Sequence, residues 1–216
     1  MTEPDRVVVI GASGFGREAL DVLEAMRDAG GELAVIGVAD DSPSEANLRR
    51  LDDRGVAHLG TVADVLATGE PGWRFVIAIG SPAVRRRIAA LLEAAGRGPF
   101  TAVHPGATFG ARSQVGEGSV VCAGVCVSTN VRLGRFVHLN PHATIGHDAV
   151  LGDFVSVNPA ATLSGEVTVG EGTLVGASAT VLQNLTVGED ALIGACALVT
   201  RDVPGGVVVK GIPGRW

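Results

Sequence analysis

The chain has 216 residues, with 17 Lys and Arg against 23 Asp and Glu and a formal charge of −6. Neither half is basic: residues 1–102 hold 11 basic and 15 acidic side chains, and residues 103–216 hold 6 and 8. That balance argues against a nucleic-acid partner, and no run of 18 apolar residues is present to form a membrane-spanning helix.

Residues 6–10 (Arg-Val-Val-Val-Ile) read as a buried parallel strand that runs into Gly11-Ala12-Ser13-Gly14-Phe15-Gly16. A helix is expected from Arg17 to about Ala29. Strand, glycine-rich turn and helix start together form an anion site, because unpaired N–H groups and the helix dipole face the ligand. A second strand over Ala34–Ala39 ends in Asp40-Asp41. A third apolar run, Phe75–Ile79, ends in Gly80-Ser81-Pro82, and a helix is expected from Ala83 to about Ala95. Residues 1–102 therefore read as a small doubly wound α/β domain with its ligand site at the strand carboxyl ends. The glycine spacing G-x-x-G-x-G differs from the dinucleotide fingerprint. It fits either a tight turn with close helix packing or a nucleotide site in which Asp40 or Asp41 accepts hydrogen bonds.

From Phe109 the pattern changes. Every sixth residue is apolar, sixteen times without a break: Phe109, Val115, Val121, Val127, Leu133, Leu139, Ile145, Leu151, Val157, Leu163, Val169, Val175, Val181, Val187, Ile193 and Val199. Glycine follows nine of them, and small residues such as Ala143 and Ala161 often stand two places before. A period of six is neither helical nor simple strand alternation; it is the period of a parallel β-solenoid with one short strand and one corner per hexad. Three hexads close an 18-residue coil, so about five coils are expected over residues 103–216. The aliphatic residues point inward, and glycine is expected to give each corner its backbone angles.

The solenoid histidines are His104, His138, His142 and His147. His147 lies two places after inward-facing Ile145 and next to Asp148. A histidine paired with a carboxylate suits a general base, since its unperturbed pKa is near neutrality and the partner fixes its tautomer. The contact requires the corner to fold Asp148 back. Gly165, one coil beyond His147, would let a backbone N–H approach a reacting oxygen. The three cysteines (Cys122, Cys126, Cys196) have no metal or redox spacing, and the amino terminus shows no apolar leader. A cytoplasmic protein with reduced thiols is expected.

The [LIV]-G-x-x-x-x repeat resembles that of the left-handed β-helix acyltransferases, which implies handedness, a homotrimer and acyl-CoA held between adjacent prisms. The order G-x-x-G-x-G-R-E, the strand end V-x-D-D, A-I-G-x-x-x-x-R (Ala78 to Arg85), His104-Pro105 and then the hexads spans the chain. This combination resembles the sugar O/N-acetyltransferases of the sialic acid O-acetyltransferase-like and perosamine- or bacillosamine-type groups. The fold implied is an α/β Rossmann-like domain (1–102) binding a sugar nucleotide, followed by an all-β left-handed parallel β-helix (103–216) binding acetyl-CoA. The resemblance implies substrate contacts at Ser13, Gly14, Phe15, Asp40, Asp41, Gly80, Arg85 and Asn140, where many relatives have His in place of Phe15. It implies His147 as general base with Asp148, and Gly165, Gly176, Ala177, Gly194, Ala195 and Lys210 along acetyl-CoA. No metal is expected. Position 156, where relatives often carry a second histidine, is Ser156.

Three rivals follow from the same residues. A sugar hydroxyl or sialic acid could replace the amine. His142 and His147 have the His-x₄-His spacing of a γ-class carbonic anhydrase, although the position expected for a third ligand is Gly106. A scaffold without activity could share the fold.

Overall fold

The computed structural model describes residues 3–69 and 71–216 and divides into two compact units, 1–102 and 103–216. In the first, β1 (Asp5–Ile10), β2 (Leu33–Ala39) and β3 (Trp73–Ile77) form a parallel sheet in the order β2-β1-β3. Val7–Ile10 and Phe75–Ile77 are at most 1 % exposed, as unbroken apolar runs covered on both faces require. Helix α1 (Gly14–Asp28) packs on β1 and β2, and α4 (Pro82–Ala94) packs on β3. Helix α1 begins three residues before the expected start. Ser13 holds the extended backbone of an N-cap, so Gly14 and Gly16 fall inside the first turn rather than before it. The third strand ends at Ile77, which leaves Ile79 and Gly80 in the turn leading to Ser81, the N-cap of α4.

Two further helices, α2 (Glu45–Asp52) and α3 (Val62–Ala67), were not anticipated from the sequence. Both are too short to display a helical period. Their signals are local: Ser44 caps α2 through the Asn47 N–H, and Thr61 with Asp64 forms a reciprocal capping box on α3.

In the second unit, two-residue strands from β4 (Ala102–Val103) to β21 (Val208–Val209) stack in three parallel sheets of seven, six and five strands. The first face carries His138–Leu139 and Ser156–Val157, the second Thr144–Ile145 and Thr162–Leu163, the third Arg132–Leu133 and Val150–Leu151. Except in the last coil, each strand pairs with the one 18 residues on. From Val121 to Val199 every member of the apolar series is at most 5 % exposed, whereas Phe109 at the open end is 38 % exposed. Six coils form rather than five, since a strand precedes Phe109 and another follows Val199. The last coil is shorter by two residues: Val187 pairs with Val203 and Ile193 with Val209. The hexad register ends at Val199 because that coil has lost two residues, not because the solenoid stops.

The glycines after the inward residues have a different job from the one expected. None of them has a positive φ; the left-handed corner residue stands three places after the inward residue instead. One edge of the prism carries Arg112, Asn130, Asp148, Glu166 and Asn184, all with φ between 59° and 62°. The glycines are needed because the coils touch. A Cβ on Gly146 would sit 2.5 Å from the carbonyl carbon of Ser164, and one on Gly116 would overlap the Gly134 carbonyl. Steric closeness, not backbone freedom, selects glycine there.

Candidate active site

At the carboxyl ends of the amino-terminal strands lies a cavity of about 170 Å³ lined in part by Gly11, Asp40, Asp41, Ile79 and Arg87. Asp40 fastens two loops: Oδ2 accepts from Ala12 N at 2.7 Å and Oδ1 from Ser42 N at 2.9 Å. Asp41 Oδ1 accepts from Val62 N at 2.9 Å at the start of α3. His58 Nε2 lies 3.4 Å from Asp40 O.

Gly16 is a packing residue, because a Cβ there would overlap Gly11 O. Gly14 meets nothing within 4 Å and is exposed, as is Ser13, whose side chain makes no capping bond. The first turn of α1 therefore has no side-chain cap from Ser13 and no acidic residue of its own, and Asp40 Oδ2 sits on Ala12 N just before it. Ser13, Gly14, Phe15, Gly80 and Arg85 do not line the cavity, whereas Arg87, Val84 and Ile88 of α4 do.

Arg85 differs from its expected role. It is completely buried, and Nη1 donates to Ile79 O and Gly80 O at 3.0 Å each. Burial pulls its guanidinium down to about 9, which leaves it charged at neutral pH. Its place is beneath the Ile79–Gly80 turn, holding the cavity wall from inside.

In the solenoid, His147 Nδ1 lies 2.8 Å from Asp148 Oδ2, with both side chains about half exposed. The positive φ of Asp148 folds its side chain back toward its neighbour, which an extended strand would forbid. A residue missed by the sequence reading completes the arrangement. Asn130, one coil earlier on the same edge, donates Nδ2 to Asp148 Oδ1 at 2.9 Å. Hydrogen bonds from His147 first and Asn130 second hold the Asp148 carboxyl below its ordinary range. Only the 18-residue coil arithmetic could have found Asn130. With Asp148 ionised, Nδ1 carries the proton and Nε2 of a neutral imidazole keeps its lone pair.

Gly165 lies beside that ring, since a Cβ on it would run into Nε2 of His147. Its N–H donates no hydrogen bond among the described residues. Base and open N–H donor are thus adjacent.

The other residues expected along acetyl-CoA lie on the edge between the first and second faces. A Cβ on Gly176 would sit 2.5 Å from Ala195 N, Cys196 N donates to Ala177 O, and a Cβ on Gly194 would sit 3.9 Å from Cγ of Lys210. Gly176, Ala177, Gly194, Ala195 and Lys210 form one column, and His147 and Gly165 stand one face away. Asn140 is buried, with Nδ2 given to Val157 O at 3.1 Å and Asn158 Oδ1 at 3.3 Å; it makes no bond to His147 or Asp148. His142 sits on the edge of the Gly176 column, where a Cβ on Gly124 would sit 2.5 Å from its Nδ1. The His-x₄-His pair is thereby split between two edges. Among the described residues no group of three or more His, Cys, Asp or Glu could hold a metal ion, and no helix is long and apolar enough to cross a membrane.

The chain is similar to known proteins over both units. The family described as the PglD N-terminal domain matches residues 6–92. A GDP-perosamine N-acetyltransferase of Escherichia coli O157:H7 is 29 % identical over 142 residues, which is 65 % of this chain and 61 % of that protein; the match thus spans under two thirds of that relative's length. Among solved structures, perosamine N-acetyltransferase from Caulobacter crescentus, in a variant with one histidine changed to asparagine and in complex with CoA and GDP-perosamine, is 31 % identical. It has a TM-score of 0.86, with 97 % of this chain and 95 % of that one covered. The acetyltransferase domain of PglB from Neisseria gonorrhoeae FA1090, in complex with acetyl coenzyme A, is 28 % identical with a TM-score of 0.85, covering 98 % of each chain. The likeness extends through both units, an α/β Rossmann-like domain and a left-handed β-helix.

Proposed function

Because the chain belongs to the perosamine- and bacillosamine-type nucleotide-amino-sugar N-acetyltransferases, we propose that it moves an acetyl group from acetyl-CoA to the amine of a nucleotide-linked amino sugar. The observation that carries the reading is the His147–Asp148 pair with the open N–H of Gly165 beside it. The amine nitrogen attacks the thioester carbonyl carbon and gives a tetrahedral adduct whose oxyanion accepts from Gly165 N–H. The proton leaving nitrogen goes to Nε2 of His147, and Asp148 stabilises the resulting imidazolium. Collapse of the adduct breaks the C–S bond. The sulfur leaves as thiolate and takes up the proton, so the products are the acetamido sugar and CoA. Direct transfer from the thioester needs no cysteine or serine nucleophile.

The nucleotide belongs to the amino-terminal cavity, with the open first turn of α1 and the Asp40–Asp41 pair as recognition groups. Acetyl-CoA takes its wall from Gly176, Ala177, Gly194, Ala195 and Lys210. That column and the His147 edge are separated by one face of the prism, so a groove lined by both requires a second copy, and a homotrimer supplies three such grooves. The protein acts in the cytoplasm, where acetyl-CoA and nucleotide sugars are made.

The test is release of CoA thiol from acetyl-CoA in the presence of UDP-, GDP- and dTDP-linked amino sugars, with the product identified by mass spectrometry. One acceptor should react and gain a base-stable acetyl group. A base-labile acetyl ester would move the reaction to a hydroxyl, and no turnover with any acceptor would refute it.

A further inference from the structure

Along the edge that carries the base, the residue before each left-handed corner belongs to one column: Thr129, His147, Gly165 and Gln183, each one coil beyond the last. The corners that follow repeat one conformation, with φ of 60° at Asp148, 60° at Glu166 and 61° at Asn184. Backbone bonds fasten them to one another, Glu166 N to His147 O at 2.8 Å and Asn184 N to Gly165 O at 3.0 Å. Thr129 Oγ1 is committed to Ala111 O at 2.9 Å. Gln183 is exposed, and its carboxamide makes no hydrogen bond among the described residues.

The base gives the column a direction. A Cβ on Gly165 would run into Nε2 of His147, so the imidazole leans over Gly165 and away from Thr129. The reacting carbonyl, placed at Nε2 and the open Gly165 N–H, thus lies near the level of Gly165. The next level is that of Gln183, about 5 Å on at the spacing of paired strands. The residues assigned to acetyl-CoA begin on this same coil: Gly176 and Ala177 follow Val175, and Gly194 and Lys210 lie one and two coils further. The coenzyme arm therefore leaves the thioester in the direction of Gln183. In that arm two methylenes separate the sulfur from the first pantetheine amide, a span of about one coil spacing. The amide N–H needs an acceptor there, and the carboxamide oxygen of glutamine is one.

We propose that Gln183 positions acetyl-CoA by accepting a hydrogen bond from the pantetheine amide nearest the thioester, which holds the acetyl carbonyl at the Gly165 N–H. Gln183 stands on the edge of the base, so it supplies the wall opposite the Gly176 column in the groove described above. The proposal rests on the acetyl-CoA reading, but the contact can be measured without turnover.

The test uses the full chain with Gln183→Leu, which keeps the bulk and loses the oxygen, and Gln183→Glu, which keeps an accepting oxygen. CoA binding is measured by calorimetry, and sedimentation gives the oligomeric state. Acetyl transfer is measured from acetyl-CoA and from two truncated donors: S-acetyl-N-acetylcysteamine, which carries the amide, and S-propyl thioacetate, which lacks it. Gln183→Leu should bind CoA roughly 5- to 20-fold more weakly, the worth of one hydrogen bond left unmade. Its kcat/KM should fall by a similar factor with the amide-bearing donor and not with S-propyl thioacetate, while acceptor KM stays constant. Gln183→Glu should retain most of the CoA affinity. Equal losses with both truncated donors, or no loss with either, overturn the proposal. A loss that follows a changed oligomeric state would make Gln183 a subunit contact and also overturns it. Weakened CoA binding without acetyl transfer to any amino sugar would keep the contact and reject the reaction.

Discussion

Gly165 leaves open the space that the imidazole of His147 fills: a Cβ on Gly165 would run into Nε2. The backbone of Gly165 is not in the left-handed region, so an alanine is conformationally acceptable and only the ring has to move. Gly165→Ala should therefore fold normally and lose acetyl transfer by about 100-fold, the penalty of displacing a catalytic group by an ångström or so. In a His147→Ala background the same change should cost little, because no ring remains to displace. Steady-state rates of the four proteins check this. Equal losses in both backgrounds would place the defect in the Gly165 N–H instead.

Asn130 tests the electrostatics of the pair. Asp148 titrates below its ordinary range because His147 and Asn130 donate to its two oxygens. A depressed folded-state pKa means that the ionised carboxyl and the hydrogen bonds it accepts are kept above the folded value and lost as pH falls through it. Asn130→Gly keeps the left-handed corner and removes one donor, so the Asp148 carboxyl should titrate higher and the pair should break at a less acidic pH. Carbon-13 NMR of the labelled carboxyl reads this directly, and an unchanged or lower midpoint would contradict it.

Asp148→Asn retains the corner conformation and the bond to Asn130 by amide flip, but it no longer stabilises an imidazolium. A loss in kcat of roughly 10- to 100-fold is expected, smaller than for a buried triad because this pair is half exposed. Acetyl-CoA KM should change little. Rates at saturating substrate distinguish this from a binding defect.

The coil-to-coil contacts make a contrasting pair of stability predictions. Gly116→Ala forces a Cβ into the Gly134 carbonyl, which is backbone and cannot rotate away, and should destabilise the solenoid by about 1–3 kcal/mol or more. Gly98→Ala meets nothing within 4 Å and has no positive φ, so it should be neutral or stabilising by up to about 1 kcal/mol. Urea unfolding of both variants gives the comparison.

Arg85 predicts a different phenotype. Removing it leaves the carbonyls of Ile79 and Gly80 without their buried donor and opens a void, a loss of about 2–5 kcal/mol for Arg85→Ala. Weaker nucleotide binding should follow from the released turn. Denaturant midpoints and nucleotide calorimetry on the same samples would show both effects together.

Periodicity made the solenoid legible, because sixteen inward positions in register leave one architecture. It could not place the left-handed corners. Residues as different as Phe136, His142, Glu166 and Cys196 occupy them, since solvent or a neighbouring coil tolerates any side chain there. The His147–Asp148 pair was readable as adjacent letters. Asn130 was not, because its relation to the pair exists only across coils. In the amino-terminal unit, Arg85 matched a motif as a ligand contact, and only burial showed that it faces inward.

The central claim is that His147 takes the proton from the attacking amine. The most direct test is kcat for acetyl transfer to the preferred nucleotide-linked amino sugar by wild type and His147→Ala, each across a pH series. A fall of about 100-fold or more in the variant is predicted. Unchanged binding of both substrates should accompany it. A variant that retains near-wild-type kcat would contradict it and leave His147 as a residue that only positions the acceptor.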